Sequence, residues 1–169
     1  MPTLLILSDN VDEYRRLIES ACLPGLEITT TPTPGCDLVF GEPTLIRDLL
    51  PRLPALRWVQ STWAGVEPLL DPALRRDYIL TNARGVFGPL MSEYVFGYLL
   101  LRERRILQRY AAQQQGRWDA TLTGTLRGKT IGLLGVGSIG AHLAHTAKHF
   151  GLTVYGYTRE NETCPEVDR

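Results

Sequence analysis

Three glycines in the stretch IGLLGVGSIG could do chemistry through the backbone that surrounds them. Gly135, Gly137 and Gly140 have the spacing G-x-G-x-x-G, and an apolar segment precedes them. Amide N–H groups at the start of a helix, together with the helix dipole, bind anions such as phosphate. The first glycine would permit the tight turn, the second would let the backbone approach the anion, and the third would let the helix pack closely on the strand. We predict that the following residues hold the pyrophosphate of a dinucleotide: Gly135, Val136, Gly137, Ser138, Ile139 and Gly140.

Such a loop must be framed by a strand, a helix and a second strand. The sequence predicts a strand over Lys129–Leu134, a helix over Ser138–Phe150 that ends at Gly151, and a strand over Thr153–Tyr157. This βαβ unit is typical of the start of a Rossmann dinucleotide-binding domain.

The residues that follow the second strand would contact the adenosine ribose. An acidic residue at that place would bind the 2′-hydroxyl of NAD, whereas the chain carries Thr158 and Arg159 there. Because arginine can grip a phosphate with two parallel hydrogen bonds, we predict that NADP(H) is the preferred cofactor. NAD(H) stays open as an alternative, since Glu160 and Glu162 follow closely.

Three histidines on the predicted helix raise the question of a metal site. His142, His145 and His149 fall within about 60° of one another on a helix of 3.6 residues per turn. No Cys, Asp or Glu stands among them, and the predicted core face carries other residues: Ile139, Leu143, Ala147 and Phe150. We therefore expect solvated histidines and no metal.

The N-terminal part of the chain alternates short apolar strands with short helices. Strands are predicted over Thr3–Ser8, Leu26–Thr30, Cys36–Phe40, Trp58–Thr62 and Tyr78–Thr81. Helices are predicted over Val11–Ala21 and from Pro43 to about Leu50. Alternation of this kind implies right-handed crossovers and a parallel sheet. The fold class is α/β: a small, flavodoxin-like doubly wound domain followed by the start of a Rossmann domain.

A long helix is predicted between these two parts, roughly over Met91–Gln115. At 1.5 Å per residue it would be about 38 Å long. Its first half is apolar almost all round, which suggests a subunit interface, and its second half is rich in arginine. The arginine run is typical of a solvated face whose side-chain stems pack against the helix.

Composition and charge exclude several classes of protein. The 169 residues have a formal net charge of zero, so electrostatics favours neither nucleic acid nor an anionic membrane as a partner. The start MPTLLILSDN resembles a buried strand more than a signal peptide, and every apolar run is too short to span a bilayer. Three cysteines without a C-x-x-C pair predict reduced thiols in a cytoplasmic protein.

Three stretches together resemble one family. They are QSTWAGVEPLL (Gln60–Leu70), GVFGPLMSEYVFGYLL (Gly85–Leu100), and LRGKTIGLLGVGSIG (Leu126–Gly140) with its YTR (Tyr157–Arg159). In this order they resemble the D-isomer-specific 2-hydroxyacid dehydrogenases, and most of all the glyoxylate/hydroxypyruvate reductases that prefer NADPH. The resemblance implies a substrate domain over 1–90, an interdomain and dimerisation helix over 91–116, and a partial NAD(P)-binding domain over 117–169. Because the first half of the helix is apolar, we expect a homodimer formed through it.

The resemblance also implies a substrate site at Trp63, Ala64, Gly65 and Val66. In the family, backbone N–H groups at the positions of Gly65 and Val66 hold the carboxylate of a small 2-oxo or 2-hydroxy acid. Without the resemblance, an ordinary turn between a strand and a helix would be the favoured interpretation. Met91 and Glu93 would begin the interdomain helix near the nicotinamide.

The implied reaction is reduction of a 2-oxo acid by hydride transfer from the nicotinamide. In the family an arginine, a carboxylate and a histidine complete it, and all three come from the second half of the nucleotide domain. Arg84 precedes the glycine loop, so it does not match the catalytic arginine. We expect all three groups beyond Arg169, and this chain to be an inactive N-terminal portion.

Two other interpretations stay open at this point. The chain could be a non-catalytic, truncated module that binds a nucleotide or forms dimers. It could also belong to a related dehydrogenase that acts on formate or phosphoglycerate, although Trp63 and the Thr158–Arg159 pair argue against this.

Overall fold

The computed structural model describes residues 1–159 and 163–169. The chain separates into two compact units, Met1–Arg84 and Gly85–Arg169. No helix among the described residues is long and apolar enough to cross a membrane.

The first unit is built on one parallel sheet of five strands. Its elements are β1 (Thr3–Leu7), α1 (Val11–Ser20), β2 (Glu27–Thr29), β3 (Leu38–Gly41), α2 (Pro43–Leu49), β4 (Trp58–Ser61) and β5 (Ile79–Thr81). The strand order is β2-β1-β3-β4-β5, and every neighbouring pair is parallel. This is the flavodoxin-like order, in which successive strands are added first to one side of β1 and then, from β3 onward, to the other side. The predicted fold class is confirmed.

Leucine and valine side chains from adjacent strands form the core of this unit. Leu5 on β1 lies beside Val39 on β3, which in turn lies beside Val59 on β4. All three are buried and pack against Ile46 and Leu50. Because the strands are in register, their carboxyl ends finish at one edge of the sheet, and loops from that edge carry ligands in folds of this kind.

The second unit contains a smaller parallel sheet covered by helices. Its elements are α3 (Gly88–Glu103), α4 (Ile106–Gln114), β6 (Thr130–Leu134), α5 (Ser138–His149) and β7 (Thr153–Tyr157). The strands β6 and β7 pair in parallel over their whole length. Phe96 of α3 stacks on Phe150, with ring centroids 4.9 Å apart, and Leu133, Ala144 and Val154 complete the core beneath them. The predicted βαβ unit is confirmed.

The predicted single helix over Met91–Gln115 is wrong in one respect, because two helices occupy this stretch. The break falls at Arg104 and Arg105, and Arg105 adopts the left-handed conformation with φ of 52°. Contacts with the connector beyond α4 favour the break. The Arg109 guanidinium donates to the Thr121 carbonyl at 2.9 Å, and Arg105 lies 3.9 Å from the Asp119 carboxylate.

Candidate functional site

The glycine loop joins the end of β6 to the start of α5. Gly135 has φ of +100°, a value that residues with side chains rarely adopt. A Cβ on Gly140 would overlap the carbonyl oxygen of Gly135, and a Cβ on Gly137 would meet no atom within 4 Å. The predicted steric roles of the three glycines are therefore confirmed: one turns the chain, one leaves open space, and one lets the helix approach the loop.

The N-terminus of α5 presents backbone donors at this loop. Gly137 is the N-cap, and no side chain caps the helix within residues 1–159 and 163–169. The first intrahelical bond runs from the Ala141 amide to the Gly137 carbonyl, at 2.8 Å. N–H groups in the first turn of a helix have no intrahelical acceptor. The amides of Ser138, Ile139 and Gly140 are thus available to an anion, with the helix dipole behind them.

The end of β7 lies directly beside the loop. Leu134 pairs with Tyr157, and the Gly135 amide extends the ladder by donating to the Tyr157 carbonyl at 2.7 Å. Thr158 and Arg159 follow immediately; Thr158 is half-buried and Arg159 is exposed. The fold therefore brings these two predicted residues to the same edge as the glycine loop. Glu160 and Glu162 lie outside the described residues.

The C-terminal segment, residues 163–169, supports β7 through backbone and side-chain hydrogen bonds. The Asp168 amide donates to Val154 at 2.8 Å, and the Gly156 amide donates to Arg169 at 2.7 Å. The Asp168 carboxylate accepts from Lys148 of α5 and from the Val154 amide. The Lys148 ammonium, followed by the Val154 amide, lowers the pKa of Asp168 below its ordinary 3.8.

One of the three histidines is not solvated as predicted. His142 is half-buried and its Nδ1 lies 2.8 Å from the hydroxyl of the buried Ser92 on α3. The prediction failed because α3 packs beside the expected core face of α5. His145 and His149 are exposed, as predicted. Within the described ranges, no group of three or more His, Cys, Asp and Glu side chains could hold a metal ion.

The loop predicted to bind the substrate carboxylate follows β4 in the first unit. Ser61, the last residue of the strand, is fully buried. Its hydroxyl accepts from the Trp63 amide at 2.9 Å and donates to the Trp63 carbonyl at 3.0 Å. The Thr62 amide donates to Gly41 at the end of β3, at 2.9 Å. The turn is thus fixed by a side chain within the strand, and the Trp63 ring is left 44% exposed.

The rest of this loop is held by residues that are distant in sequence. The Asn82 side chain donates to the Ala64 carbonyl at 2.6 Å, and the Ala83 amide donates to the Trp63 carbonyl at 3.1 Å. Val66 caps the short 3₁₀ turn Glu67–Leu69. Sequence reasoning missed both Ser61 and Asn82, since serine at a strand end and asparagine in a loop carry no distinguishing signal.

One acidic side chain lies close to the predicted carboxylate site. The three atoms nearest to a Cβ on Gly65 would all belong to the Glu67 carboxylate, and the closest of them is an oxygen at 2.7 Å. Glu67 is exposed, so this carboxylate can swing into water. An anion that binds the Gly65 amide must displace it or suffer like-charge repulsion.

The parallel sheet of β6 and β7, with the uncapped N-terminus of α5 at its carboxyl edge, defines an α/β protein of the dinucleotide-binding class. Residues 96–168 match the family model for the NAD binding domain of D-isomer specific 2-hydroxyacid dehydrogenases. The chain is 43% identical to a D-isomer specific 2-hydroxyacid dehydrogenase family protein from Aeromonas salmonicida, with a TM-score of 0.91 over 99% of this chain and 56% of that one.

Two further relatives are informative. A glyoxylate reductase from Thermococcus litoralis is 30% identical over 132 residues, which are 72% of this chain and 39% of that enzyme. The NADPH-dependent glyoxylate/hydroxypyruvate reductase from Sinorhizobium meliloti, solved with NADP and sulfate, is 22% identical with a TM-score of 0.83, over 99% of this chain and 55% of that one; it shares the fold.

The chain is similar in sequence and fold to the D-isomer-specific 2-hydroxyacid dehydrogenases, whose members are NAD(P)-dependent oxidoreductases, and residues 96–168 match the NAD binding domain of that family. It spans little more than half the length of the solved relatives it matches.

Proposed function

We propose that this chain is the N-terminal portion of an NADPH-dependent reductase of small 2-oxo acids such as glyoxylate or hydroxypyruvate. The observation that carries the proposal is the uncapped start of α5, which lies at the carboxyl edge of β6 beside the end of β7. A bound NADPH would supply the hydride, and the residues of this chain would bind and orient the two ligands.

The glycine loop is the proposed pyrophosphate site. The loop residues fit a pyrophosphate. The space beside Gly137 is open to the ligand, and the absence of a side chain at Gly140 lets α5 start close to the loop. Titration of the 169-residue chain with NADPH and NADH, followed by nicotinamide fluorescence or calorimetry, tests this. Saturable binding with one site per chain supports the proposal, and absence of binding by both cofactors refutes it.

We further propose that Thr158 and Arg159 favour NADPH over NADH. Arg159 is exposed at the end of β7, where its guanidinium could pair with a 2′-phosphate. Arg159→Ala should weaken NADPH binding about tenfold and leave NADH binding nearly unchanged. The matched control is Arg16→Ala on α1, which removes an equal charge from an exposed position in the first unit. An unchanged ratio of the two affinities in Arg159→Ala would contradict the preference.

The loop of Trp63, Ala64, Gly65 and Val66 is the proposed site for the substrate carboxylate. Its support is the rigid turn at Ser61 and Trp63, which presents the following amides from a fixed strand end. A carboxylate requires donors that no bulky side chain obstructs, and a glycine provides them. Binding of oxalate, a non-reducible anion of similar size, can be followed by the shift of the Gly65 and Val66 amide resonances.

We expect no turnover of glyoxylate or hydroxypyruvate by the 169-residue chain. The family resemblance puts the arginine, the carboxylate and the histidine of the reaction beyond Arg169. Measurable NADPH oxidation by purified chain would contradict this. In a longer protein that includes this sequence, the same assay should show turnover; if the longer protein binds NADPH without turnover, the non-catalytic module becomes the better interpretation.

Self-association is the remaining part of the proposal. The outer side of α3 carries exposed apolar side chains at helical spacing, namely Leu90, Tyr94 and Tyr98. A row of this kind is typical of an interface between protein chains. We propose a homodimer through the helices of residues 91–116. Light scattering after size-exclusion chromatography should show a dimer, which Tyr94→Asp should convert to monomer.

A further inference from the structure

A partly buried hydrogen bond joins α3 to α5. Ser92 of α3 is only 4% exposed, and its hydroxyl lies 2.8 Å from Nδ1 of His142. In the part of the chain that the structure describes, Ser61 and Ser92 are the buried polar residues. Buried polar pairs contribute little net stability compared with apolar packing, yet they fix one arrangement of the elements that carry them.

Gly88, one turn before Ser92, packs closely against the His142 side chain. A Cβ on Gly88 would lie 2.9 Å from Cβ, Cγ and Cδ2 of the histidine. Any larger residue at this position would push the imidazole away from Ser92. Two positions on one face of α3 therefore accommodate the same side chain, one by leaving space and one by hydrogen bonding.

His142 stands in the second turn of α5, immediately after the turn that carries the loop amides. The first turn packs against the Gly135 carbonyl through Gly140. The second turn is fixed to α3 through His142. The start of α5 is thus held from two sides, and its amides cannot shift without disturbing one of these contacts.

We propose that Ser92 and His142 are positioning residues for the dinucleotide: their hydrogen bond fixes the start of α5, and with it the amides of Ser138, Ile139 and Gly140, in the orientation that binds pyrophosphate. The inference rests on the proposed dinucleotide binding. Hydrogen-bond donors that are already ordered in the free protein bind a ligand more tightly, because no conformational entropy is lost in ordering them on binding.

The test compares variants of the 169-residue chain in NADPH titrations. Ser92→Ala and His142→Leu remove the hydrogen bond, whereas His142→Asn keeps a polar atom near the position of Nδ1. The control is Thr146→Val, which removes a hydroxyl that donates to the His142 carbonyl at 3.0 Å within the same helix. We expect Kd to rise about fivefold in Ser92→Ala and His142→Leu, and to stay within about twofold of wild type in His142→Asn and Thr146→Val.

The double variant Ser92→Ala/His142→Leu should have nearly the same Kd as either single variant, because each single change already breaks the same hydrogen bond. A second measurement, hydrogen exchange of the cofactor-free chain, should show faster exchange at the Ala141 amide, which makes the first intrahelical hydrogen bond of α5, in these two variants only. Wild-type binding with unchanged Kd and exchange in Ser92→Ala and His142→Leu would overturn the positioning role and leave the proposed function intact. Failure of the wild-type chain to bind NADPH or NADH would instead overturn the proposed function.

Discussion

The two candidate binding loops both follow a parallel strand and both contain glycine, but they are constructed differently. The loop after β6 depends on backbone conformation: Gly135 has a positive φ and Gly140 touches the Gly135 carbonyl. The loop after β4 depends on side chains, because Ser61 and Asn82 hold its carbonyl and amide groups. The first loop is therefore intolerant of side chains at Gly135 and Gly140, and the second is intolerant of lost hydroxyl or amide groups.

The largest effect should come from a methyl group in the glycine loop. Gly140→Ala would drive Cβ into the Gly135 carbonyl, and backbone cannot move aside as a side chain can. We expect a loss of about 1–3 kcal/mol in the free energy of unfolding and a fall of about 100-fold in NADPH affinity. Urea denaturation and cofactor titration measure the two quantities.

The matched control for that substitution is Gly97→Ala on α3. A Cβ on Gly97 meets no atom within 4 Å, and alanine is the better helix former. The control should leave NADPH affinity unchanged and raise the free energy of unfolding by up to about 1 kcal/mol. If Gly140→Ala and Gly97→Ala change the free energy of unfolding and the NADPH affinity alike, the close contact between Gly140 and the Gly135 carbonyl does not determine the structure of the loop.

A smaller effect should come from the hydroxyl beneath the other loop. Ser61→Ala leaves the Trp63 amide without its acceptor in a partly buried turn, which should cost about 1–2 kcal/mol in the free energy of unfolding. NADPH affinity should not change, since Ser61 belongs to the other compact unit. Restoration of stability by Ser61→Thr would identify the hydroxyl as the cause; equal stability of Ser61→Ala and wild type would show that the turn does not need it.

A near-neutral result is expected when the same methyl group is added to the other loop. In Gly65→Ala the three nearest atoms belong to the exposed Glu67 carboxylate, which can rotate into water. The free energy of unfolding should change by less than about 0.5 kcal/mol. A loss as large as that of Gly140→Ala would show that both loops are limited by backbone packing, which would remove the distinction between them.

The smallest effect on the free energy of unfolding should come from Asp168, whose carboxylate supports β7, and this effect should depend on pH. Because the pKa of Asp168 is lowered in the folded chain by Lys148, the carboxylate contributes stability above its ordinary pKa of 3.8. That contribution is lost as the pH falls through the lower folded pKa. Asp168→Asn should thus be slightly less stable than wild type at neutral pH, and the difference should vanish in acid.

Urea denaturation of both proteins across this range of pH measures the difference. A gap that persists unchanged below the folded pKa would mean that the carboxylate charge is not involved. The exposed Asp9→Asn variant in the first unit serves as a control for the general effect of removing one charge.

Local patterns were sufficient to predict most of the fold. The strand Thr153–Tyr157 has its predicted bounds, and Thr130–Leu134 differs by one residue from prediction. Periodicity could not predict the break at Arg104 and Arg105, because arginine, glutamate and leucine are all good helix formers there. Contacts of Arg105 and Arg109 with Asp119 and Thr121, which only the fold brings near, accompany the break.

In the candidate sites too, roles set by neighbours in sequence could be predicted and roles set by distant residues could not. The steric roles of Gly135, Gly137 and Gly140 follow from neighbours in sequence, so the motif was enough to predict them. Ser61 contacts its loop only because β4 ends there, and Asn82 arrives from beyond the following strand. His142 was wrongly predicted to be solvated. The helix that covers it, α3, is placed by the packing of the whole unit, which local sequence does not show. Residues whose roles depend on distant partners are therefore the ones that sequence reasoning missed.

The helix break at Arg105 has a mechanical consequence. An unbroken helix is a stiff rod that transmits bending and torsion from one end to the other. Here the hydrogen-bond ladder is interrupted between α3 and α4, so bending of α4 is not passed to α3 along a continuous helix. Strain imposed on α4 by a neighbouring molecule would therefore reach Ser92 and the start of α5 less directly than through an unbroken helix.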